Sequence, residues 1–289
     1  MSASSLPPIP VDRSWIGAPA GTIGNPTVWL IGLAYTALGL GTWGHLAGGW
    51  PVWLVVAVNA TAIYVGFTPM HEAVHGVAHE RRWVNGLVGR MGALPLTISL
   101  PLFRGVHLAH HAHTNDPAKD PDYVVSMRPR WLLPLWCLGI LGSYHAAFYR
   151  RRLWRAPGQL AEALLVDGAL AATIACSIAG GWFDTFFVVW LGPSMAALVF
   201  LAFAFDFVPH YPYDSRARYY DTRIYPGSTS NALLLGQNYH LVHHLWTTIP
   251  WFRYRRVFGE IEPELVRRGC RVGWRVTPLP DDVPRIAAS

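Results

Sequence analysis

The sequence predicts an all-α integral membrane protein with four transmembrane helices in two hairpins. It also predicts interfacial or re-entrant helices and a cytoplasmic cap rich in histidine. Three observations lead to this fold class. Hydrophobic residues make up 52% of the 289 residues and charged residues only 14%, whereas soluble domains carry about 25% charged residues. Several apolar segments are long enough to cross a hydrocarbon core of about 30 Å. Most of the 13 histidines lie in short groups near the ends of these segments.

The four predicted spans form two pairs. The loops within the pairs, Ala-Gly-Gly-Trp and Gly-Trp-Phe-Asp, are so short that each pair must be a helical hairpin. All 23 basic residues lie outside the hairpins, and the positive-inside rule therefore places both termini and the histidine groups in the cytoplasm. The predicted spans are about residues 27–46, 51–70, 160–181 and 185–208.

The chain is predicted to form one membrane domain, residues 27–260. Residues 1–26, which begin with a stretch rich in Ser and Pro, are expected to be a flexible N-terminal tail, and residues 261–289 a cytoplasmic C-terminal tail. The excess of six positive charges lies beside the apolar segments, so it predicts contact with a membrane surface and not with nucleic acid. The three cysteines lack metal-binding or redox spacing.

Two further apolar stretches require a different placement. Residues 91–103 are short and contain Pro95 and Pro101, which indicates a re-entrant or interfacial segment. Residues 131–149 have arginines on both sides, and a true span would place one arginine cluster outside the cell. We therefore expect this stretch to be an amphipathic helix on the membrane surface.

The histidine groups predict a centre with two metal ions. His71 and His75 lie four residues apart, on one face of a helix. Two groups share the pattern His-x-x-His-His, and His210 follows the last predicted span. Imidazole is the commonest metal ligand in proteins, and one zinc ion needs only about four donors. The predicted ligands are His71, His75, His107, His110, His111, His210, His240, His243 and His244.

Other polar residues near these groups are candidates to surround the ligands and offset the metal charge. Asp206 precedes His210 by four residues and has three open roles: to bind metal, to bind it through water, or to orient a histidine. His79 and His113 are expected to be surrounding or surface residues. The surrounding candidates are Asp206, Glu72, Asp116, Asp120, Asp122 and Asn238.

The segment His71-Glu72-Ala73-Val74-His75 also matches the HExxH motif of zinc proteases, in which the glutamate is the general base. This alternative leaves both His-x-x-His-His groups without a role. A membrane protein that binds metal without catalysis is a further alternative. Redox-inert zinc would not need nine imidazoles, whereas imidazole also suits iron. Two irons with open positions can activate O2, which the standard side chains cannot do alone.

Three stretches carry a family resemblance: HEAVHGVAHERRWVNGLVGR, HLAHHAHTNDPAKDPDYVV and YPGSTSNALLLGQNYHLVHHLWTTIPWFRY. The chain resembles the membrane fatty-acid desaturase and hydroxylase superfamily over residues 50–260. Within it, the chain is similar to the desaturase-like β-carotene hydroxylases of the cyanobacterial type. The resemblance implies O2-dependent hydroxylation of the β-ionone ring at C3, giving zeaxanthin, and a di-iron centre bound by the nine histidines. A fatty-acyl desaturase or hydroxylase and a carotenoid ketolase remain alternatives on the same scaffold.

A lipophilic carotenoid or acyl substrate is expected to enter from the lipid. Phenylalanines of two apolar segments are candidates to line its path: Phe103, Phe203, Phe205 and Phe207. Because the sequence has no flavin, haem or iron–sulfur motif, electrons must come from a separate donor. We expect a ferredoxin that meets an arginine-rich face, although the same arginines would also attract anionic lipid. The expected location is a bacterial inner membrane, with the active site on the cytoplasmic side.

Overall fold

A computed structural model describes residues 6–286. These residues form helices and turns with one isolated parallel bridge between Ile224 and Val272, and they contain no strand. We number ten helices: α1 Pro26–Leu46, α2 Val52–Val74, α3 Arg82–Ala93, α4 Leu100–His113, α5 Leu133–Arg150, α6 Pro157–Ala179, α7 Phe183–His210, α8 Ser228–Leu233, α9 His240–Leu245 and α10 Tyr254–Arg267. The all-α prediction is confirmed.

Within residues 6–286, four helices are long and apolar enough to cross a membrane: Val52–Val74, Arg130–Arg150, Pro157–Ala179 and Phe183–His210. Three of them correspond to predicted spans. The first predicted span, α1, does not belong to this set, and the helix that contains α5 does. The length and apolar composition of α5 match those of a span. However, His71 at the end of α2 and His210 at the end of α7 lie at one site, so an even number of crossings must separate them, and α6 and α7 supply two. The surface position of α5 therefore stays a prediction. Its inner face packs on α4 and on the turn Pro121–Ser126.

The segment predicted to be re-entrant is a sharp bend. The helical segments Arg82–Leu96 and Leu100–His113 meet at 93°. Thr97 lies at the bend with φ of 61°, a left-handed conformation that ends the first segment. Ser99 then caps α4 by accepting a hydrogen bond from the backbone N–H of Leu102. The bend directs α4 back toward α2, so that the histidines of the two helices face each other.

Close packing of α3 on α2 fixes the helix that carries the first histidine pair. A Cβ on Gly92 would lie 2.4 Å from the carbonyl oxygen of Gly66 and 2.9 Å from Cβ of Met70. Only glycine at position 92 therefore permits this approach. Met70 is fully buried directly before His71, and the close contact limits movement of the ligand helix.

The two segments predicted to be tails are packed in their described parts. Ile9 and Trp15 join the same buried cluster as Leu279, Val283 and residues of α9 and α10. The Nη1 atom of Arg253 donates to the backbone carbonyls of residues 15–17. Helix α10 also continues past the expected domain end at residue 260. Apolar residues too sparse to form a visible pattern thus complete the cap around α9; residues 1–5 and 287–289 lie outside the described part.

Candidate metal centre

Four helices bring the predicted ligands together. The membrane helix α2 ends at Val74, so His71 lies on its last turn and His75 at its C-cap. Helix α7 likewise ends at His210. The short helices α4 and α9 carry the two His-x-x-His-His groups, and i, i+3 and i+4 spacing places each group on one helix face. All nine histidines converge between these helices, and they form two adjacent groups.

The first group contains five histidines, two from α4. The Nε2 atoms of His75 and His107 lie 2.9 Å apart, and those of His71 and His243 lie 3.1 Å apart. His111 joins the two pairs: its Nε2 lies 3.0 Å from that of His107 and 2.9 Å from that of His243. Four of these residues meet the geometry of a metal site: His71, His75, His107 and His243.

The second group contains four histidines. The Nε2 atom of His210 lies 3.2 Å from that of His240, which lies 3.1 Å from that of His244. The Nε2 atom of His110 lies 3.4 Å from that of His244. These four residues also meet the geometry of a metal site. Helices α4 and α9 each contribute ligands to both groups.

The spacing of the Nε2 atoms fits metal coordination. Around a metal ion with bonds to nitrogen of about 2.1 Å, neighbouring ligand nitrogens lie about 3.0 Å apart in an octahedron and about 3.4 Å apart in a tetrahedron. The distances within the two groups span 2.9 to 3.4 Å. The donor set and its spacing therefore fit two ions bound through Nε2.

Acceptors behind the second group fix which ring nitrogen carries hydrogen. The Nδ2 atom of Asn115 donates to the carbonyls of Ser215 and Asp221, so its Oδ1 must accept, and it lies 3.2 Å from Nδ1 of His210. Similarly, Nδ1 of His110 lies 2.9 Å from Oδ1 of Asp120. Both histidines therefore hold a hydrogen on Nδ1 and direct the Nε2 lone pair to the centre of the group. A cation at that position removes the repulsion between converging lone pairs.

Three residues that lie beside Nδ1 of the clustered histidines were not predicted from the sequence. Tyr254 places its hydroxyl 3.0 Å from Nδ1 of His243. Asp221 lies with Oδ2 3.7 Å from Nδ1 of His244, and Asn115 contacts His210. Each follows an irregular segment or belongs to another helix, so no spacing rule connects it to a histidine. Burial of Asn115 together with its φ of 60° is a structural signal that the sequence does not contain.

The predicted surrounding residues divide into two sets. Asp120 and Asp122 both contact Nδ1 of His110, at 2.9 and 3.1 Å, and Asp206 lines the cavity beside the second group. Asp116 instead forms an ion pair with Arg216 at 2.8 Å. Asn238 donates to the carbonyl of Tyr225 and therefore stabilises the segment before α9, without a hydrogen bond to a histidine.

Glu72 does not take the position that a zinc protease requires. Its carboxylate is fully buried, and Oε2 accepts the backbone N–H of Trp251 at 3.0 Å. Its Oε1 lies 3.8 Å from Nδ1 of His71, on the opposite side of the ring from the converging Nε2 atoms. Glu72 thus connects α2 to the segment after α9.

Burial sets the protonation state of the histidines on α9. Their side chains are almost fully enclosed, which disfavours the charged form, and neighbouring imidazoles add to this effect. The pKa values of His240, His243 and His244 are therefore held well below the usual value. Neutral imidazole is the form that binds metal. Burial also raises the pKa of Asp221 to about 7 and that of Asp122 to about 6.

A narrow cavity of about 40 Å³ adjoins both groups. Of the four phenylalanines predicted to line a substrate path, Phe103 and Phe205 lie in its wall. Phe203 is 43% exposed, and Phe207 contacts Tyr211 and Tyr213. Helix α7 has a π-helical segment here, and the extra residue per turn directs Phe205 and Asp206 into the cavity.

The remaining histidines lie outside the two groups. His79 is buried, but its Nε2 contacts the hydroxyl of Thr22 at 3.3 Å and its Nδ1 accepts the backbone N–H of Arg81. His145 contacts Asp167 on α6. His45 lies on the last turn of α1, and His113 lies at the end of α4, half-buried.

Comparison with known proteins connects this site to a family. Residues 47–275 match the family model described as fatty acid desaturase. The chain is 25% identical to an sn-1 oleoyl-lipid 12-desaturase of Anabaena variabilis, over 89% of this chain and 81% of that protein. It is also 25% identical to a zeaxanthin 4-ketolase of Chlamydomonas reinhardtii, over 72% of this chain and 45% of that protein. The chain belongs to the fatty acid desaturase family, an oxidoreductase family of membrane proteins.

Proposed function

We propose that this chain uses O2 at a di-iron centre to hydroxylate the β-ionone ring of carotenoids, converting β-carotene to zeaxanthin. The observation that carries the proposal is the pair of adjacent all-histidine groups at the wall of an apolar cavity. Such a site combines an oxidising metal pair with a substrate that dissolves in lipid.

The nine converging histidines are the proposed ligands, five to one iron and four to the other. Imidazole nitrogen suits iron, and an iron pair supplies the O2 activation that amino-acid side chains alone do not. Asp120, Asn115 and Tyr254 hold hydrogens on Nδ1, so the ligands remain oriented. Leu201 and Phe205 belong to the apolar wall that excludes bulk water from this position.

Metal analysis of the purified protein tests the cofactor. Two irons per chain are expected, and a single zinc ion per chain would contradict the di-iron centre. His243→Ala is expected to lower the iron content and abolish turnover, because its Nε2 contacts two other ligands. The matched variant His45→Ala, on α1, is expected to retain both irons.

Two features support a carotenoid substrate. The stretch GQNYHLVHHLWTTIPWFRY resembles the desaturase-like β-carotene hydroxylases. A relative with 72% coverage of this chain is named for ketolation of zeaxanthin, which is a carotenoid. β-Carotene is long and wholly apolar, and the side chains around the metal site toward the membrane helices are mostly apolar as well.

A second candidate function is desaturation of an acyl lipid. The relative that covers 89% of this chain is named as an oleoyl-lipid desaturase. Removal of hydrogen from an acyl chain and hydroxylation of a ring need the same kind of metal site, and small differences in substrate position decide between them. The same holds for ketolation at C4.

Expression in a bacterium that accumulates β-carotene, followed by chromatography of pigments and lipids, separates these reactions. Zeaxanthin is the expected product. Canthaxanthin would establish ketolation, and unchanged β-carotene with new double bonds in the membrane lipids would establish acyl desaturation. The host with an empty vector is the control.

We further propose that a ferredoxin delivers electrons at an arginine-rich face in the cytoplasm of a bacterium. Arg150, Arg152 and Arg255, which we assign to this face, are exposed. Exchange of Arg150 and Arg255 for Glu is expected to raise the KM for reduced ferredoxin, because the encounter is electrostatic. The same exchange is expected to weaken the dependence of this KM on salt concentration. An unchanged KM for ferredoxin, with weaker binding to anionic vesicles, would assign these arginines to lipid.

A further inference from the structure

A second, larger cavity lies between α2 and α7. Its volume is about 840 Å³, compared with about 40 Å³ beside the metal site. Small side chains leave this space open: Ala60 on α2, and Ala196 and Ala197 on α7. Because a cavity of about 150 Å³ holds benzene, the larger cavity has room for a long hydrocarbon. The cavity beside the metal site has no room for a ring in this conformation.

The two cavities are neighbours between the same helices. Tyr64 lines the larger cavity, and Phe67, less than one turn later on α2, lines the smaller one. On α7, Phe200 lines the larger cavity and Phe205 lines the smaller one. The ring centres of Tyr64 and Phe205 lie 6.1 Å apart, and those of Phe67 and Phe205 lie 5.4 Å apart. A single layer of aromatic rings therefore separates the two spaces.

A hydrogen bond holds Tyr64 in this layer. Its hydroxyl donates to the backbone carbonyl of Leu233, at the end of α8. Its ring packs edge-on against Phe200, with centres 5.1 Å apart. Leu233 itself is 67% exposed, so the bond can open without disturbing a buried core. Rotation of Tyr64 away from α8 would remove one ring from the layer between the cavities.

The outer wall of the larger cavity is held in place by a buried arginine. Arg223 donates through Nη2 to the carbonyls of residues 273–275, at 3.0 to 3.1 Å. These bonds fix the segment that carries Trp274, which lines the cavity. The Trp274 ring also contacts Tyr225, with centres 4.6 Å apart. The hydrogen bonds of Arg223 and the contact of Trp274 with Tyr225 thus hold this wall of the cavity in a defined position.

We propose that the larger cavity binds the hydrocarbon body of the carotenoid as it enters sideways from the bilayer, and that Tyr64 separates it from the metals until the bond to Leu233 opens. The identity of the occupant rests on the proposed function. The cavity is apolar, is bordered by two membrane helices and is continuous with the wall of the metal cavity. These properties fit a membrane-dissolved hydrocarbon and not a water-soluble ligand.

Photocrosslinking tests the occupant without any need for turnover. Leu233 in the cavity and Leu33 on α1, which is 60% exposed, are replaced one at a time by benzoylphenylalanine. The proteins are irradiated in phosphatidylcholine nanodiscs that contain β-carotene. The adduct of protein with carotene is expected to be enriched at position 233 over position 33. Equal carotene adducts at both positions would overturn the inference.

Kinetics test whether the cavity leads to the metals. Ala196→Phe fills the cavity, and its matched control, Ala57→Phe, adds the same bulk to an exposed position in a separate groove. The first variant is expected to lower kcat/KM at least about tenfold, the size of effect that altered fit of an apolar pocket produces, with unchanged iron content. Equal kinetics in the two variants would overturn the inference.

Tyr64→Phe tests the gate. It keeps the ring and removes the hydrogen bond to Leu233, so kcat/KM is expected to rise, by up to about tenfold for a bond of ordinary strength. An unchanged kcat/KM would overturn the gating role. Failures are distinguishable: turnover of β-carotene without enrichment at position 233 contradicts only the cavity, whereas enrichment without turnover contradicts only the proposed function.

Discussion

The hydroxyl of Tyr254 lies 3.0 Å from Nδ1 of His243, and both side chains are fully buried. This contact is the only hydrogen bond of that nitrogen among the described residues, and it leaves Nε2 directed at His71 and His111. An aromatic residue on α10 thus orients a proposed ligand on α9.

Tyr254→Phe removes this acceptor and keeps the ring. Loss of a partner behind a metal-binding histidine lowers metal affinity by about 10- to 100-fold, so the variant is expected to lose iron to a chelator that wild type resists. Iron content after dialysis against graded chelator measures the effect. Tyr239→Phe is the control for loss of a tyrosine hydroxyl, because the ring of Tyr239 packs against Phe258 elsewhere in the cap. Equal loss of iron from the two variants would contradict the prediction.

Asp120 connects ligands from two elements. Its Oδ1 contacts His110, and its Oδ2 accepts the backbone N–H of Asn115, the residue that orients His210. Asp120→Asn is therefore expected to lose the iron of the second group and retain that of the first, which reduces the iron content from two to about one per chain. Asp116→Asn, at a carboxylate paired with Arg216, should retain both. Iron analysis and Mössbauer spectra distinguish the outcomes.

The buried histidines predict how stability depends on pH. The pKa values of His240, His243 and His244 are lowered in the folded protein, whereas those in the unfolded chain are about 6.5. The unfolded chain therefore binds more protons below pH 6.5. Each of these histidines is expected to lower the free energy of unfolding of the metal-free protein as pH falls below 6.5, by up to about 1.4 kcal/mol per pH unit. Asp221 and Asp122, whose pKa values are raised to about 7 and about 6, act in the opposite direction. Because the three histidines outnumber the two aspartates, a net fall in the free energy of unfolding is expected. Denaturant titrations from pH 5 to 8 measure it, and a pH-independent value would refute the prediction.

Glu72→Gln distinguishes the oxygenase from the protease motif. Glutamine can still accept the N–H of Trp251 through its amide oxygen, so iron content and turnover are expected to stay within about threefold of wild type, the range of a retained hydrogen bond. A general base would lose several orders of magnitude on this change. Our assignment would be contradicted if the wild-type protein cleaved peptides and Glu72→Gln abolished that cleavage while oxidation stayed unchanged.

Cysteine labelling tests the proposed orientation in the membrane. Ala47→Cys lies in the loop between α1 and α2, and Glu262→Cys lies on an exposed turn of α10. In intact cells, a membrane-impermeant maleimide is expected to label position 47 and not position 262, because the positive-inside rule places the cap in the cytoplasm. Cys176→Ala removes the exposed native thiol. Labelling of position 262 alone would indicate the opposite orientation in the membrane.

The sequence predicted those features that depend on periodicity. Apolar length identified α2, α6 and α7, and i, i+3, i+4 spacing identified ligands that the structure brings together. The position of α5 stays a prediction, because the arginines beside it argue against a span while its length and composition are those of a span.

Contacts between distant segments were beyond the sequence patterns. Asn115, Asp221 and Tyr254 support the ligands through loops whose paths depend on the packed cap. The positions of Phe203 and Phe207 depend on π-helical geometry in α7, which changes the face that each residue occupies. A prediction that assumes the regular α-helical repeat therefore assigns these residues to the wrong face of α7.

Adjacent residues of one helix belong to different groups: His243 belongs to the first group and His244 to the second, and His110 and His111 divide in the same way on α4. In the proposed centre, the backbone geometry of these two helices, rather than a flexible bridging side chain, therefore determines the separation of the two irons. That separation should remain nearly constant when substrate binds or a cavity residue is exchanged. Under this proposal, residues of the lipid-facing walls can be exchanged to alter substrate specificity without a change in the dimensions of the metal pair.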